Sequence, residues 1–128
     1  MFTKLFNKIN QSLIIESLLS AEIDALKEPK QNHFTPEDLY IGIIIFCQRK
    51  HYPLTRERLY TLTKYVNNTF DEQENYLTKP KSIHLLSPWQ YHKAQRQAKH
   101  PTVWINVRDY SIIRYLIDEY FENRDYDG

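Results

Sequence analysis

Apolar residues recur at intervals of three and four along most of this chain, the spacing of helices that bury one face. The pattern is clearest from Phe34 to Phe70, where two helices in tandem begin with the same signal. Thr35 and Thr55 each occupy an N-cap position, and Pro36 follows the first of them. An apolar residue before each threonine is matched by another five positions later, as in a hydrophobic staple. These features predict helices over about 36–50 and 56–67.

The first of these helices is predicted to be central. Residues 39–47 are apolar nearly all round, which is typical of a helix buried on every side. Three consecutive isoleucines would also suit a buried strand. The Thr35–Pro36 start and the basic end at residues 49–51 favour the helix.

A third start of this kind follows Leu86, where Ser87, Pro88 and Gln90 form a full capping box. We expect this helix to end near Lys99. At about 100° per residue its polar and basic side chains share one arc, and alanines mark the opposite, packing side. The arc consists of Gln90, Lys93, Arg96, Gln97 and His100.

Both ends of the chain are predicted to form amphipathic helices. Residues 1–28 fit one long or two short helices, and packing on the core is favoured over a membrane anchor at residues 1–10. Asp109 is expected to cap a last helix over 109–123, whose apolar stripe would dock on the core or on another subunit. Residues 124–128 are expected to fray.

Shorter elements are predicted between these helices. Asp71 and the acids after it resemble the first turn of a short helix over 71–77. Ile83–Leu86 and Val103–Val107 are rich in β-forming residues, so we expect two short strands that could pair. The order of elements in residues 36–107 is that of a winged helix-turn-helix, although no family motif accompanies it.

The predicted fold is therefore a mainly α, compact domain of five or six helices spanning 1–128, with at most a two-stranded β element. Two glycines in 128 residues argue against Gly-rich phosphate loops and glycine-dependent hairpins. A single cysteine, Cys47, excludes an intramolecular disulfide, and no apolar run reaches the length of a membrane span. These features predict a cytoplasmic protein.

Candidate catalytic and metal-binding groups are sparse. None of the five histidines has a second His or Cys at ligand spacing, so no metal site or cofactor is predicted. Cys47 lies in the most apolar helix, where a thiol is usually packing. No serine lies in a glycine-flanked elbow. We therefore expect a binding protein rather than an enzyme.

Charge is unevenly distributed on a chain of net charge +1. Residues 75–108 carry six Lys or Arg and no acid, whereas residues 109–128 carry two basic and six acidic residues. Basic side chains with interleaved aromatics suit DNA or RNA, because cations neutralise phosphates and aromatic faces stack on bases. The predicted contact residues are Arg56, Arg58, Lys64, Trp89, Lys93, Arg96, Lys99 and His100.

Two alternatives stay open at this point. Strongly positive and negative patches on a nearly neutral chain also suit a charged protein partner, as in an inhibitor, antitoxin or immunity-type protein. The acidic C-terminal helix could also cover the basic face of the helix near 88–100. A homodimer through residues 109–123 is compatible with either function.

Overall fold

Helices make up most of the chain that the computed structural model describes, which comprises residues 20–29, 34–71, 83–99 and 102–123. Five helices lie in these ranges, and none of the described residues forms a named strand. The helices are α1, Ser20–Ala25; α2, Pro36–Lys50; α3, Arg56–Asp71; α4, Pro88–Gln97; and α5, Val107–Glu122. The prediction of a mainly α fold is confirmed for the described residues.

Helix α2 lies at the centre of the fold, as its sequence predicts. It packs against α3, α4 and α5, and α3 also packs against α5. The buried side chains on several sides of α2 explain why its sequence lacks a clear polar face. They are Leu39, Tyr40, Ile43, Ile44, Phe46 and Cys47.

The two ends of the stretch from Phe34 to Phe70 are in contact. The two phenylalanine rings that bound it pack edge to face, with centroids 5.2 Å apart. The Asp38 N–H donates to the Thr35 hydroxyl at 3.2 Å, and the Thr35 N–H donates back to the Asp38 carboxylate at 3.3 Å. At α3, the Thr55 hydroxyl accepts from a backbone N–H at 3.1 Å. Both predicted helix starts are confirmed.

Helix α3 continues to Asp71, beyond the predicted end near residue 67. Val66 and Phe70 extend its buried stripe by one turn, and both are fully buried. The Thr69 hydroxyl donates to the Tyr65 carbonyl at 2.9 Å, which satisfies a polar group within the helix. Helix α3 thus ends at Asp71, the residue that the sequence predicted as the cap of a further helix. The rest of the predicted helix over 71–77 lies outside the described residues.

The last helix begins earlier than predicted. Asn106, not Asp109, is its N-cap, and the Asn106 side chain accepts from the Asp109 N–H at 2.8 Å. Asparagine is as good a cap as aspartate, and the prediction missed it because Asn106 sits in an alternating, β-rich run. Helix α5 thus starts at Val107, a residue that we expected to end a strand.

The predicted strand over Val103–Val107 does not form. Val103 makes a single parallel bridge to Leu26, through two backbone hydrogen bonds of 2.8 Å that involve Ala25 and Lys27. The Ile105 N–H then donates to the Val103 carbonyl at 2.9 Å, a γ-turn-like contact that bends the chain away from its partner. A ladder cannot extend past this bend.

Residues 83–86 are not a strand either. The Tyr40 hydroxyl donates to the His84 carbonyl at 3.0 Å and accepts from the His84 N–H at 3.1 Å. A side chain of α2 therefore takes the hydrogen bonds that a partner strand would have used. Without these two strands, the described residues give no support to a winged-helix arrangement of residues 36–107.

The apolar stripe of α5 docks on the core of its own chain. Its side chains are buried among those of α2 and α3, so the described residues offer no support for a homodimer through residues 109–123. The buried members of the stripe are Ile112, Ile113, Leu116, Ile117 and Phe121, and Tyr120, which was also predicted in it, is only partly buried. Of the predicted N-terminal helix or helices over 1–28, the structure describes only the part from α1 onward. Residues 1–19 and 124–128 lie outside the described ranges.

Candidate nucleic-acid interface

Helix α4 is fixed at its start by two independent devices. The Gln90 N–H donates to the Ser87 hydroxyl at 3.1 Å, and the Ser87 N–H donates to the Gln90 side-chain oxygen at 2.9 Å, which confirms the predicted capping box. The Arg56 guanidinium, at the start of α3, donates to the Leu86 carbonyl at 2.7 Å. Local sequence and a tertiary bond thus define where α4 begins.

One side of α4 packs closely on α2. Ala94 and Ala98 are buried on this side, and their small side chains let the two helices approach. Tyr91 is half-buried beside them, and its hydroxyl donates to the Leu54 carbonyl at 3.4 Å. The opposite side of α4 is therefore turned towards solvent.

The solvent side of α4 carries an exposed tryptophan and three exposed cations. Trp89 is 65 % exposed, the largest value among the exposed large hydrophobic side chains of the described residues. The Lys93 ammonium lies 5.4 Å from the centroid of the Trp89 ring, within the range of a cation–π contact. Arg96 is exposed on the same helix, and Lys99 is exposed in the turn that follows it. We call Trp89, Lys93, Arg96 and Lys99 the basic face.

No carboxylate among the described residues forms an ion pair with the cations of the basic face. Among these residues no carboxylate lies within 4.0 Å of Lys93, Arg96 or Lys99. Two of the acids on α5 are engaged elsewhere. Asp118 pairs with Lys50 at 3.5 Å, and Glu119 accepts from the Tyr65 hydroxyl at 3.3 Å.

No protein-family model matches the chain, and no curated protein or solved structure is significantly similar to it. No helix within the described ranges is both long and apolar enough to cross a membrane. The same ranges contain no group of three or more His, Cys, Asp or Glu side chains that could hold a metal ion.

The predicted contact residues on α3 differ from those on α4. Arg58 is half-buried, donates to the Pro53 carbonyl at 3.0 Å and lies 5.5 Å from the centroid of the Phe121 ring. Arg56 supports the start of α4 as described above. Lys64 is exposed and lies over the Tyr60 ring at 5.5 Å. His100 is outside the described residues, so the structure groups only Trp89, Lys93, Arg96 and Lys99.

A cleft of about 300 Å³ lies beside the basic face, between α4 and α2. The sequence did not predict it, because its walls come from segments some fifty residues apart. Trp89 and Lys93 belong to both the basic face and the cleft. The lining residues are Glu37, Tyr40, Ile41, His84, Leu86, Trp89, Gln90, Lys93, Ala94 and Gln97.

A buried ionic cluster joins α1, α2 and α5. Glu22 is only 5 % exposed, and its carboxylate lies 3.3 Å from Arg49 and 3.7 Å from Arg114. The Tyr110 hydroxyl donates to the same carboxylate at 2.9 Å. Burial, together with the nearby negative charge of Glu22, raises the pKa of Tyr110.

Sequence reasoning missed this cluster, although one signal was present. Glu22 follows Leu18 by four positions and Leu19 by three, so it interrupts the apolar stripe of the N-terminal helix. A charge in such a position needs a buried partner. The partners could not be chosen from the sequence, because they come from distant helices.

Cys47 is fully buried in α2. Burial raises the pKa of its thiol from 9.0 to about 12. The thiol therefore stays protonated near neutral pH, and a protonated thiol is a poor nucleophile. This environment agrees with a packing role.

Proposed function

We propose that this protein binds nucleic acid through the basic face of α4. The observation that carries the proposal is the exposure of a tryptophan and three cations on α4 and the turn after it, with no described carboxylate within 4.0 Å of the cations. Cations on a fixed helix can neutralise successive phosphates and release their counterions. The exposed Trp89 ring offers a surface on which an unpaired base can stack.

The contact would be made by α4 and does not require a winged-helix arrangement of residues 36–107, which stays a prediction. In this arrangement Arg56 acts as a positioning residue, because it holds the Leu86 carbonyl that precedes the helix. Arg58 is engaged by the core of the chain, so we leave it out of the proposed contact. Lys64 lies on another helix and would add charge rather than a contact with the same base.

Equilibrium binding of labelled oligonucleotides, single-stranded and duplex, tests the proposal. We expect binding at about 50 mM salt, where phosphate contacts are strong. Lys93→Gln and Arg96→Gln should each weaken binding several-fold. Lys27→Gln, an equal loss of charge at an exposed lysine outside α4, is the matched control and should change binding little. Absence of binding at this salt, or equal effects of all three variants, would refute the proposal.

A charged protein partner is the second candidate, and one observation favours it. Leu85 and Trp104 are 43 % and 44 % exposed, so large apolar side chains besides Trp89 face solvent, and phosphate contacts do not use them. Exposed tryptophans are frequent hot spots of protein interfaces. Purification from the native host separates the candidates. A stoichiometric protein partner that Trp89→Ala releases, without nucleic acid in the complex, supports the second one.

A further inference from the structure

The cleft beside the basic face has the size and chemistry of a small binding site. Its volume of about 300 Å³ lies at the lower end of the range for ligand pockets, roughly 300–1,000 Å³. Ile41 and Leu86 provide apolar wall, and Trp89 stands at its edge with an exposed ring. A flat aromatic ligand of modest size suits such walls.

Glu37 gives the cleft an acceptor that the basic face lacks. It is exposed on the first turn of α2, and no cation among the described residues lies within 4.0 Å of its carboxylate. A carboxylate repels phosphate, so Glu37 weakens any mode of binding that places only phosphates here. It is suited instead to a ligand group that presents N–H donors.

We propose that the cleft holds one unpaired guanine of a single-stranded nucleic acid, with its ring against Trp89 and its N1–H and N2–H groups donating to the Glu37 carboxylate. This inference rests on the proposed function, because the basic face would hold the phosphates on either side of the base. The proposed contact requires a single-stranded partner, since a base that is paired inside a duplex cannot present its N1–H and N2–H edge.

The preference for guanine follows from the donors on each base edge. A carboxylate has two acceptor oxygens and no donor. Guanine presents two adjacent N–H donors, which can satisfy both oxygens. Adenine and cytosine present one donor beside a ring nitrogen that is itself an acceptor, and thymine and uracil flank one donor with two carbonyls. Each of these leaves an oxygen unsatisfied or facing an acceptor, which costs affinity.

The phosphate contacts and the base contact lie on one continuous surface. Lys93 lines the cleft and also lies over the Trp89 ring, so its ammonium can reach a phosphate while the base stacks beside it. Gln97, one turn further along α4, adds an amide that can bond the sugar or the base carbonyl. The cations of the basic face would therefore contact the phosphates, and the Glu37 carboxylate would contact the base of the same nucleotide.

Binding of oligo-dT strands that carry a single central dG, dA or inosine tests this inference. We expect the dG strand to bind about tenfold more tightly than the dA strand, within the range for one bidentate base contact. The inosine strand, which lacks the N2 amino group, should fall between them. Glu37→Gln should remove most of this preference while the protein still binds plain oligo-dT.

Glu122→Gln is the matched control, because it removes one negative charge from an exposed acid on α5. This variant should keep the preference for dG. Its change in affinity measures how much the loss of one negative charge alone affects oligonucleotide binding. If every strand binds equally and Glu37→Gln changes nothing beyond this control, the guanine site is wrong while the proposed function stands. If no strand binds at all, the proposed function itself fails, and the guanine site fails with it.

Discussion

At the scale of single residues, Glu22 is a buried acid that bonds side chains of two other helices. It is held by Arg49, Arg114 and Tyr110, which come from two other helices. The Glu22 carboxylate thus connects α1 to α2 and α5 through ion pairs and a hydrogen bond rather than through buried apolar surface. Removing one partner of a buried ion pair leaves the other charge uncompensated, which is strongly destabilising.

Glu22→Gln is therefore expected to lower the free energy of unfolding by about 3 kcal/mol. Urea denaturation followed by far-ultraviolet circular dichroism measures the change. Asp24→Asn is the control, since Asp24 is an exposed acid on the same helix, and its effect should stay within about 0.5 kcal/mol. Equal effects of the two substitutions would show that the cluster contributes no more than a surface charge.

Cys47 makes the stability of the fold sensitive to alkaline pH. Its pKa is 9.0 in an ordinary environment and about 12 in the folded chain, so between these values only the unfolded state loses the proton. Stability from this group is therefore complete below pH 9 and is lost as the pH rises towards 12. From pH 8 to pH 10 we expect a loss of about 1 kcal/mol.

Urea denaturation of the wild type and of Cys47→Ala at the two pH values checks this expectation. The substitution will itself lower stability by removing buried volume, so the quantity compared is the change between pH 8 and pH 10. That change should be about 1 kcal/mol smaller in the variant. An identical pH dependence in both proteins would mean that the thiol is not shielded from solvent.

At the scale of elements, the start of α4 decides how the basic face is presented. Ser87 and Gln90 satisfy each other's backbone N–H groups, and Arg56 holds the preceding carbonyl. Ser87→Ala should lower stability by about 1 kcal/mol, the usual value of an N-cap. It should also weaken oligonucleotide binding, because a frayed first turn no longer fixes Trp89.

Ser87→Thr is the control for this prediction, because threonine keeps the hydroxyl that caps the helix. Its stability and binding should both remain close to those of the wild type. Thermal unfolding and oligonucleotide anisotropy provide the two readouts. A loss of stability in Ser87→Ala with unchanged binding would separate the cap from the proposed interface.

The starts of α2, α3 and α4 could be predicted from the sequence because each signal lies within about four residues, whereas the start of α5 was placed at Asp109 instead of Asn106. Thr35 and Ser87 illustrate this, since both make capping boxes that are visible as short motifs. The strands could not be predicted in the same way. Val103 has β-forming neighbours, yet its backbone partner is the end of α1 and the residues after it, and the pairing is limited to one bridge.

The candidate site was predicted in part for the same reason. The spacing of Lys93 and Arg96 places them on one arc of α4, which the structure shows to be exposed. Arg58 was assigned to the same surface on charge alone, and its contact with Phe121 depends on packing that no local pattern reveals. The cleft could not be predicted, because Glu37 and Trp89 line it from two different helices. Only the tertiary structure brings these helices together.

At the scale of the whole molecule, two described acids of α5 are bonded to groups other than the cations of the basic face. Helix α5 packs on α2 and α3, and its acids Asp118 and Glu119 are bonded there to Lys50 and Tyr65. Helix α4 packs on α2 and faces solvent with its cations. A near-neutral chain can thus present a local positive field that steers an anionic partner.

The salt dependence of oligonucleotide binding tests the central proposal most directly. Three phosphate contacts, from Lys93, Arg96 and Lys99, predict that log Kobs for a single strand falls with log salt at a slope of about −2. Lys93→Gln combined with Arg96→Gln should reduce the slope to about −0.7, because one contact remains. A slope near zero for the wild type, or one that the double variant leaves unchanged, would contradict binding through the basic face of α4.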